Sequence, residues 1–429
     1  MKQTFLSAFL AIAGFTLMGS LFFSVGSCIG GKAADAGPAA DASQFVRVSG
    51  PHLIEPDGDT LHIVGTNLGN WLNPEGYMFG FGKCNSYGMI DLMFRQLVGP
   101  EATDQFWHDF KDNYITRADV NFIASTGANT IRAPFHYKLF TTEDYMGLSC
   151  NLDEGFARLD SVVSWCRDAG LYLILDMHDC PGGQTGDNID DSYGYPWLFE
   201  SEALQQQFCD IWTRIAAHYK NEPVVLGYEL MNEPLPHYMP NKEELNKLVE
   251  PLYKRATAAI RTVDHNHIIL LGGTQWNSVF EPFTDWTFDP QIMYTCHRYG
   301  GPSTREAIQS YIDFRDKTQL PMYMGEIGHN TMQWQEEFSR VMRDANIGYT
   351  FWPYKKIGDS CMNGFVRPDG WQLIVDFAEA DRSTYARIQE IRPNQQQALS
   401  LMQQLISNIR YENCVHQTDY ISSMLLKAE

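Results

Sequence analysis

Residues 219–236 read YKNEPVVLGYELMNEPLP, and the middle of this stretch decides the fold. The run 224–231 is apolar on nearly every position rather than on alternate ones. A strand that is apolar on both faces is buried on both faces, the condition of a parallel sheet covered by helices. Asn-Glu-Pro stands at each end of the run, at 221–223 and again at 232–234. At about 3.3 Å per residue the two copies lie on the order of 30 Å apart, too far to share one site. Pro223 can open the strand because its first residue has no need to donate a hydrogen bond. The first copy therefore marks the start of the strand and the second its carboxyl end. Within the strand, Gly227, Glu229 and Met231 share a face; if that face points inward, Glu229 needs a buried partner such as Arg132.

Comparable runs occur at 61–68, 128–134, 171–178, 267–272, 292–297, 321–326 and 347–352. Helical patterns separate them at 154–169, 201–219, 241–263, 303–318 and 333–345. In 201–219, for example, Leu204, Phe208, Ile211, Trp212, Ile215 and Tyr219 step by three or four. Eight strands alternating with helices predict an α/β fold, a (β/α)8 TIM barrel. An open doubly wound sheet is the alternative, but no G-x-G-x-x-G follows the first strand. The stretch 376–391 can supply the last helix of the barrel. Helices at 395–411 and 420–426 form a C-terminal extension packed on it, so that 45–429 is one domain.

The chain has 429 residues, 44% of them apolar, enough for a large core. Its net charge of -20 argues against nucleic acid or an anionic membrane surface as a partner. Lys2, an apolar run over 5–23 and small residues up to Cys28 make residues 1–27 a signal peptide. The order Val25-Gly26-Ser27-Cys28 resembles a bacterial lipobox, which implies lipidation of Cys28; an ordinary cleaved signal is the alternative. Residues 28–44, rich in Gly and Ala, then read as a flexible tether. Either way the mature chain is expected outside the cytoplasm: an outer-membrane or cell-surface lipoprotein, otherwise periplasmic or secreted, and a monomer. The eight other cysteines form no C-x-x-C pair and no zinc pattern; most are expected as buried thiols, with room for one or two disulfides.

In a barrel of this kind chemistry lies at the carboxyl ends of the strands. Those positions hold Asn67 with Trp71, Arg132, His178, Asn232 with Glu233, Gln275 with Trp276, His297 with Tyr299, Glu326, and Trp352. Every strand thus offers a polar or aromatic group suited to a site. Two carboxylates, Glu233 after the fourth strand and Glu326 ending the seventh, can face each other across the mouth. Such a pair is what glycosidic bond cleavage needs: one acid protonated to assist the leaving oxygen, one ionised to attack. Around a sugar, with its apolar face and rim of hydroxyls, an aromatic floor and His, Asn and Arg are apt. A metal-dependent hydrolase using His136, His178, His297 and His329 is a competing reading, weakened by the absence of H-E-x-x-H or H-x-H. A glycan-binding lipoprotein without activity is another; losing Glu233 or Glu326 would mark it, and both are present.

From about 60 to 355 the chain resembles glycoside hydrolase family 5, the cellulase-like family of clan A. The resemblance is carried by GTNLGNWL (65–72), NTIRAP (129–134), LDMH (175–178), LMNEP (230–234), HRY (297–299), GEIG (325–328) and FW (351–352). It implies a retaining mechanism on β-linked glucan, without cofactor or metal. Glu233 would be the general acid/base and Glu326 the nucleophile. Asn232 would bond the sugar 2-hydroxyl, Arg132 and Tyr299 would hold Glu326, and His178 and His297 would contact sugar hydroxyls. Trp352 would floor the site, with Asn67, Trp71, Gln275 and Trp276 as further substrate-binding positions. Retention requires the carboxyl groups to lie roughly 5 to 5.5 Å apart. NLGNWL and the loop 180–197 resemble the exo-β-1,3-glucanase branch, although Asp179-Cys180 departs from it. The expected substrate is a β-1,3- or β-1,4-glucan, with the stretches 73–100 and 179–200 as loops walling the cleft.

Overall fold

Each of the eight apolar runs forms one strand of a closed barrel in the computed structural model, which describes residues 40–149, 151–187 and 190–427. The strands are β1 (Val64–Asn67), β2 (Thr130–His136), β3 (Tyr172–Asp179), β4 (Val225–Glu229), β5 (Ile268–Gly272), β6 (Ile292–Arg298), β7 (Met322–Gly328) and β8 (Gly348–Trp352). They pair in chain order, every pair parallel, and β8 closes onto β1. All five residues of β4 are buried, as an apolar run between core and helices requires.

The helices are α1 (Tyr87–Val98), α2 (Pro100–Tyr114), α3 (Arg117–Ser125), α4 (Glu154–Ala169), α5 (Glu202–Tyr219), α6 (Lys242–Ile260), α7 (Gln309–Thr318), α8 (Met332–Asp344), α9 (Gln372–Glu379), α10 (Tyr385–Ile391), α11 (Gln395–Asn408) and α12 (Thr418–Ser423). In α5 the predicted stripe is the buried face, and Ser201 caps the first turn by accepting from the Leu204 N–H. From that face the Trp212 indole donates to Leu230 O at 3.0 Å, tying the helix to the end of β4.

Four expectations change. The run 61–68 is divided: Thr60–Leu61 joins an antiparallel sheet with Arg47–Ser49 and His52–Ile54, and only Val64–Asn67 enters the barrel. That small sheet plugs the floor, since Val46, Leu53 and Leu61 pack with Ile174, Leu226, Ile268, Leu270, Met293 and Tyr323 inside the barrel. The helix expected over 376–391 is two, α9 and α10, broken where Ala380 becomes extended. The stretch 73–100 is not one loop, because α1 occupies its second half with six buried side chains. Residues 40–44, expected as the end of the tether, include a 3-10 turn at Ala42–Gln44 that Asp41 caps by accepting from the Ser43 N–H. The signal segment, Cys28 and the rest of the tether lie outside the described residues.

The C-terminal extension packs on the barrel as expected: α11 lies against α2 and α1, and α12 against α8. The seven described cysteines are free thiols, six of them buried.

Candidate active site

At the carboxyl end of the barrel a cavity of about 340 Å³ is lined by Glu75, Tyr77, His178, Glu233, Tyr299, Glu326, His329 and Trp352. Five of these were expected from the strand ends. They converge because β3, β4, β6, β7 and β8 end at the same rim.

Beneath the cavity lies Arg132 on β2, fully buried. Its Nη1 donates to Glu326 Oε1 at 2.8 Å and to Asn67 Oδ1 at 3.0 Å. Its Nε and Nη2 clamp Glu229 at 2.9 and 2.7 Å, and Nη2 also reaches Asn232 Oδ1 at 3.0 Å. Glu229 thus faces inward and has the partner its position demanded; Tyr323 adds a third bond to it at 2.7 Å. Asp176 Oδ2 lies 3.0 Å from the same Nη2. One guanidinium therefore serves three buried carboxyls, an arrangement that needs well-aimed bonds to offset the cost of desolvation.

Glu326 receives a second bond from the Tyr299 hydroxyl at 2.5 Å. Two donors on one carboxylate fix its orientation toward the cavity. β7 can bring Glu326 this close to β6 because residue 325 is glycine: a Cβ there would stand 2.4 Å from Thr295 Oγ1 and 2.9 Å from His297 Nε2. Glu233 follows β4 in the left-handed region, at φ 43°, which turns its side chain toward the mouth. Its Oε1 lies 2.8 Å from His297 Nδ1, which in turn lies 3.6 Å from Glu326 Oε2. Burial raises the Glu233 carboxyl to about 7; His178 and Arg132 pull it back in part, and Glu229 pushes it further up. Burial also lowers His297 and His178 to about 4 each, against the pull of Glu326 on both. Near neutral pH both imidazoles are uncharged, and Glu233 is the group of the three that exchanges a proton there.

The ring orientations follow from their partners. His178 Nδ1 lies 2.7 Å from Asp176 Oδ2, and its Nε2 lies 3.3 Å from Asn232 Nδ2. With Nδ1–H donated to the aspartate, Nε2 accepts from the amide. His178 also stacks on Trp352, at 5.1 Å between centroids and 5° between planes. Gln184, from the loop after β3, joins the ends of β3 and β4: its Nε2 donates to His178 O at 2.6 Å and Asn232 O at 3.0 Å, and its Oε1 accepts from Cys180 N–H. In the same loop Asp190 accepts from Thr185 and Gly186, and Asp191 from Gly88 and Lys138. These acids hold the loop in place.

Some expected residues lie elsewhere. Trp71 is a core side chain, 1% exposed, whose indole donates to Lys111 O of α2 at 2.9 Å, while its neighbour Leu72 stays bridged to Phe135 of β2. Asn67 lies below the cavity and orients Arg132, Gly325 and Phe351 instead of lining the space. His297 meets Glu233 rather than the cavity, and Asn232 reaches His178 and Arg132. Gln275 and Trp276 are half-buried outside the lining, in a turn where both are left-handed, at φ 52° and 61°.

Three participants had no signal in the strand pattern. Glu75 and Tyr77 come from the loop after β1. Burial, then the charges of Glu326 and Glu233, push the Glu75 carboxyl well above its usual range, and its Oε1 has no hydrogen-bond partner. The Tyr77 hydroxyl accepts from the Trp352 indole at 2.6 Å. Asn277 Nδ2 lies 3.1 Å from His297 Nε2; a bond donated there leaves the imidazole proton on Nδ1, facing Glu233.

His178 and His329 line the cavity and His297 meets Glu233 at its edge, but the four histidines form no metal-like cluster among the described residues. His136 lies beside Asp179 and Asp191, at 3.5 and 3.8 Å. Among the described residues Glu233, His297 and Glu326 have metal-like spacing, one atom of each lying within 4.8 Å of the others. Arg132 already supplies the positive charge against Glu326, which disfavours a second cation beside it.

A parallel barrel whose mouth sets two carboxyls this close, one of them raised by burial, has the site of a glycoside hydrolase. A model of the cellulase family (glycosyl hydrolase family 5) matches residues 94–357, and the chain belongs to that family. Beta-xylosidase of Phanerodontia chrysosporium is 29% identical over 350 residues, spanning 73% of this chain and 71% of that protein. Endoglucanase C of Acetivibrio thermocellus is 26% identical over 324 residues, 61% of this chain and 90% of that one. A crystal structure of endogalactoceramidase shares the fold, with a TM-score of 0.58 at 18% identity over 78% of this chain and 84% of its own.

Proposed function

We propose that the protein is a retaining β-glycosidase that cleaves β-1,3- or β-1,4-linked glucan by double displacement. The observation that carries this reading is the placement of a Glu233 oxygen and a Glu326 oxygen within 4.8 Å of each other. Retention needs carboxyls roughly 5 to 5.5 Å apart, whereas inversion needs about 6.5 Å or more to admit a water between them. Glu326, held by Arg132 and Tyr299, attacks the anomeric carbon while the Glu233 proton passes to the leaving oxygen. Glu233, now ionised, takes a proton from water, and that water releases the sugar from Glu326. His178 on Trp352 offers a flat wall to the sugar, and the unpartnered Glu75 oxygen finds a hydroxyl there. The name of the endoglucanase relative supports glucan as the polymer; that of the xylosidase relative adds xylosides to the substrates to be compared.

The test is hydrolysis of β-1,3-, β-1,4- and mixed-linkage glucans, xyloglucan, mannan and small xylosides by the purified protein and by Glu326→Ala. Proton NMR of the first-formed product reads the anomer. The expectation is β-anomer first and a loss of ~10⁴-fold or more in Glu326→Ala. An α-anomer first, or unchanged activity in the variant, would sink the mechanism. Export with a lipid on Cys28 is part of the proposal; mass spectrometry of the mature N-terminus, beside Cys28→Ser, checks it.

A further inference from the structure

We propose that a second carbohydrate-binding site lies on the outer wall of the barrel, where the end of α6 meets the segments leading into β5 and β6. It holds a β-linked glucan chain away from the bond being cleaved. The choice of glucan rests on the proposed function; the site itself does not depend on it. A cavity of about 530 Å³ lies there, larger than the one that holds Glu233 and Glu326. Thr257 and Ala258 of α6 line it, with His265 before β5 and Phe288 and Gln291 before β6. These segments meet at the amino ends of the strands, whereas the two glutamates stand at the carboxyl ends. The seven residues of β6 put on the order of 20 Å between the two places, so a short oligosaccharide in one does not reach the other.

The walls select a neutral ligand. Lys254 is matched by Glu250 at 2.7 Å and Asp285 at 3.0 Å, and Arg261 makes two bonds to Asp289, at 2.6 and 2.9 Å. No lysine or arginine of the wall is left over to draw a phosphate or carboxylate. The acids already face cations, and the described residues form no metal-like cluster here. What remains is suited to hydroxyl groups. Gln291 accepts from the Val48 N–H through Oε1, and its Nε2 has no partner among the described residues. His265 is exposed and brings an imidazole. Thr257 is 2% exposed and its hydroxyl is unpartnered. A threonine inside a helix commonly returns that bond to the carbonyl four residues back, as Thr213 does to Cys209 O at 2.8 Å in α5. Phe288 adds an aromatic ring, half-buried against the core, with the Lys254 ammonium 5.6 Å from its centre. A ring beside amide, imidazole and hydroxyl groups matches a sugar's apolar face and its rim of hydroxyls. A long glucan chain held at this wall and at the mouth together gains a linked second contact, which raises its apparent affinity with no change at the catalytic acids.

The probe is soluble mixed-linkage β-1,3/β-1,4-glucan, cast into a native gel that retards any protein bound to it. Hydrolysis of the same polymer, and of the shortest gluco-oligosaccharide the enzyme cleaves, is measured alongside. Phe288→Ala removes the ring, and Ala258→Arg puts bulk at the cavity from an exposed helix position. In both variants retardation and the apparent affinity for the polymer, read as 1/KM, are expected to fall about fivefold, while kcat/KM on the oligosaccharide stays within about twofold. Where Phe288→Ala fails to fold, Ala258→Arg alone decides. Unchanged retardation and polymer KM, or a loss equal on polymer and oligosaccharide, would overturn the site. So would a wild-type protein that cleaves the oligosaccharide but is not retarded by the polymer. A wild-type protein that cleaves nothing, yet is retarded in a way both variants lose, would keep the site and defeat the glycosidase reading; one neither active nor retarded would defeat both.

Discussion

Arg132 decides what the neighbouring acids can do. Replacing it with Ala leaves Glu229, Glu326 and Asp176 buried without their cation, and removing one partner of a buried pair costs about 3 to 5 kcal/mol. Arg132→Ala is therefore expected to lower the melting temperature steeply as well as abolish activity, as calorimetry and assay would read. Asp176 is the least supported of the three, with its Oδ1 unpartnered; burial, opposed by Arg132 and reinforced by Glu233, raises it to about 7. Between its ordinary value of 3.8 and about 7 the folded protein holds a proton that the unfolded chain has released. Stability from this group is thus present at low pH and lost as pH rises through that window. Asp176→Asn should flatten the fall in melting temperature between pH 5 and 8. Activity follows the same sense for a different reason: Glu233 must bear its proton to act as acid, so kcat/KM should decline as pH passes about 7. The other Asn-Glu-Pro gives the contrast. Glu222 faces Arg167 at the opposite end of β4, and Glu222→Gln should leave kcat/KM within about twofold.

Loops, more than strands, set the geometry. Gln184→Ala would cut three bonds that fix the ends of β3 and β4 while removing little apolar area. The expected outcome is a fall in kcat of about tenfold or more with a melting temperature lowered by only a few degrees, since small displacements of His178 and Asn232 penalise the transition state most. This division explains what could be read in advance. All eight strands were legible because burial on both faces forces uninterrupted apolar runs, and Glu233, Glu326, Arg132, His178, Tyr299 and Trp352 were legible because those strands end at one rim. Glu75, Tyr77 and Asn277 were not, because irregular backbone has no period to betray which way a side chain points. Trp71 misled for a related reason: four residues beyond a strand end the chain has already turned, and an aromatic there is as apt for the core as for a cleft. The division of 61–68 was hidden because the hairpin plug and β1 are equally apolar.

Across the whole molecule, the segments at the two ends of the described chain complete the barrel. The hairpin sheet closes the floor, and the C-terminal extension supports the site from behind: Tyr420 bonds Trp352 O at 3.3 Å, and buried Lys355 reaches Ile409 O at 3.2 Å while pairing with Asp119 at 2.5 Å. Ending the chain before Gln395 would expose the faces of α1, α2 and α8 and leave Lys355 one acceptor short. Aggregation on expression, or a melting temperature more than ten degrees lower, is the expected result, to be read by light scattering and calorimetry. The crowding of acids around a single guanidinium has a consequence for inhibitor design. Once Glu233 and Asp176 ionise, the site holds more negative than positive charge in a water-poor space, so it becomes a trap for cations shaped like sugars. A ring-nitrogen sugar mimic with a basic amine should bind more tightly as pH climbs from 5 toward 7, and that gain should shrink in Glu233→Gln and disappear when Asp176→Asn is added. For chemists this makes pH a handle on potency that a neutral analogue would never reveal.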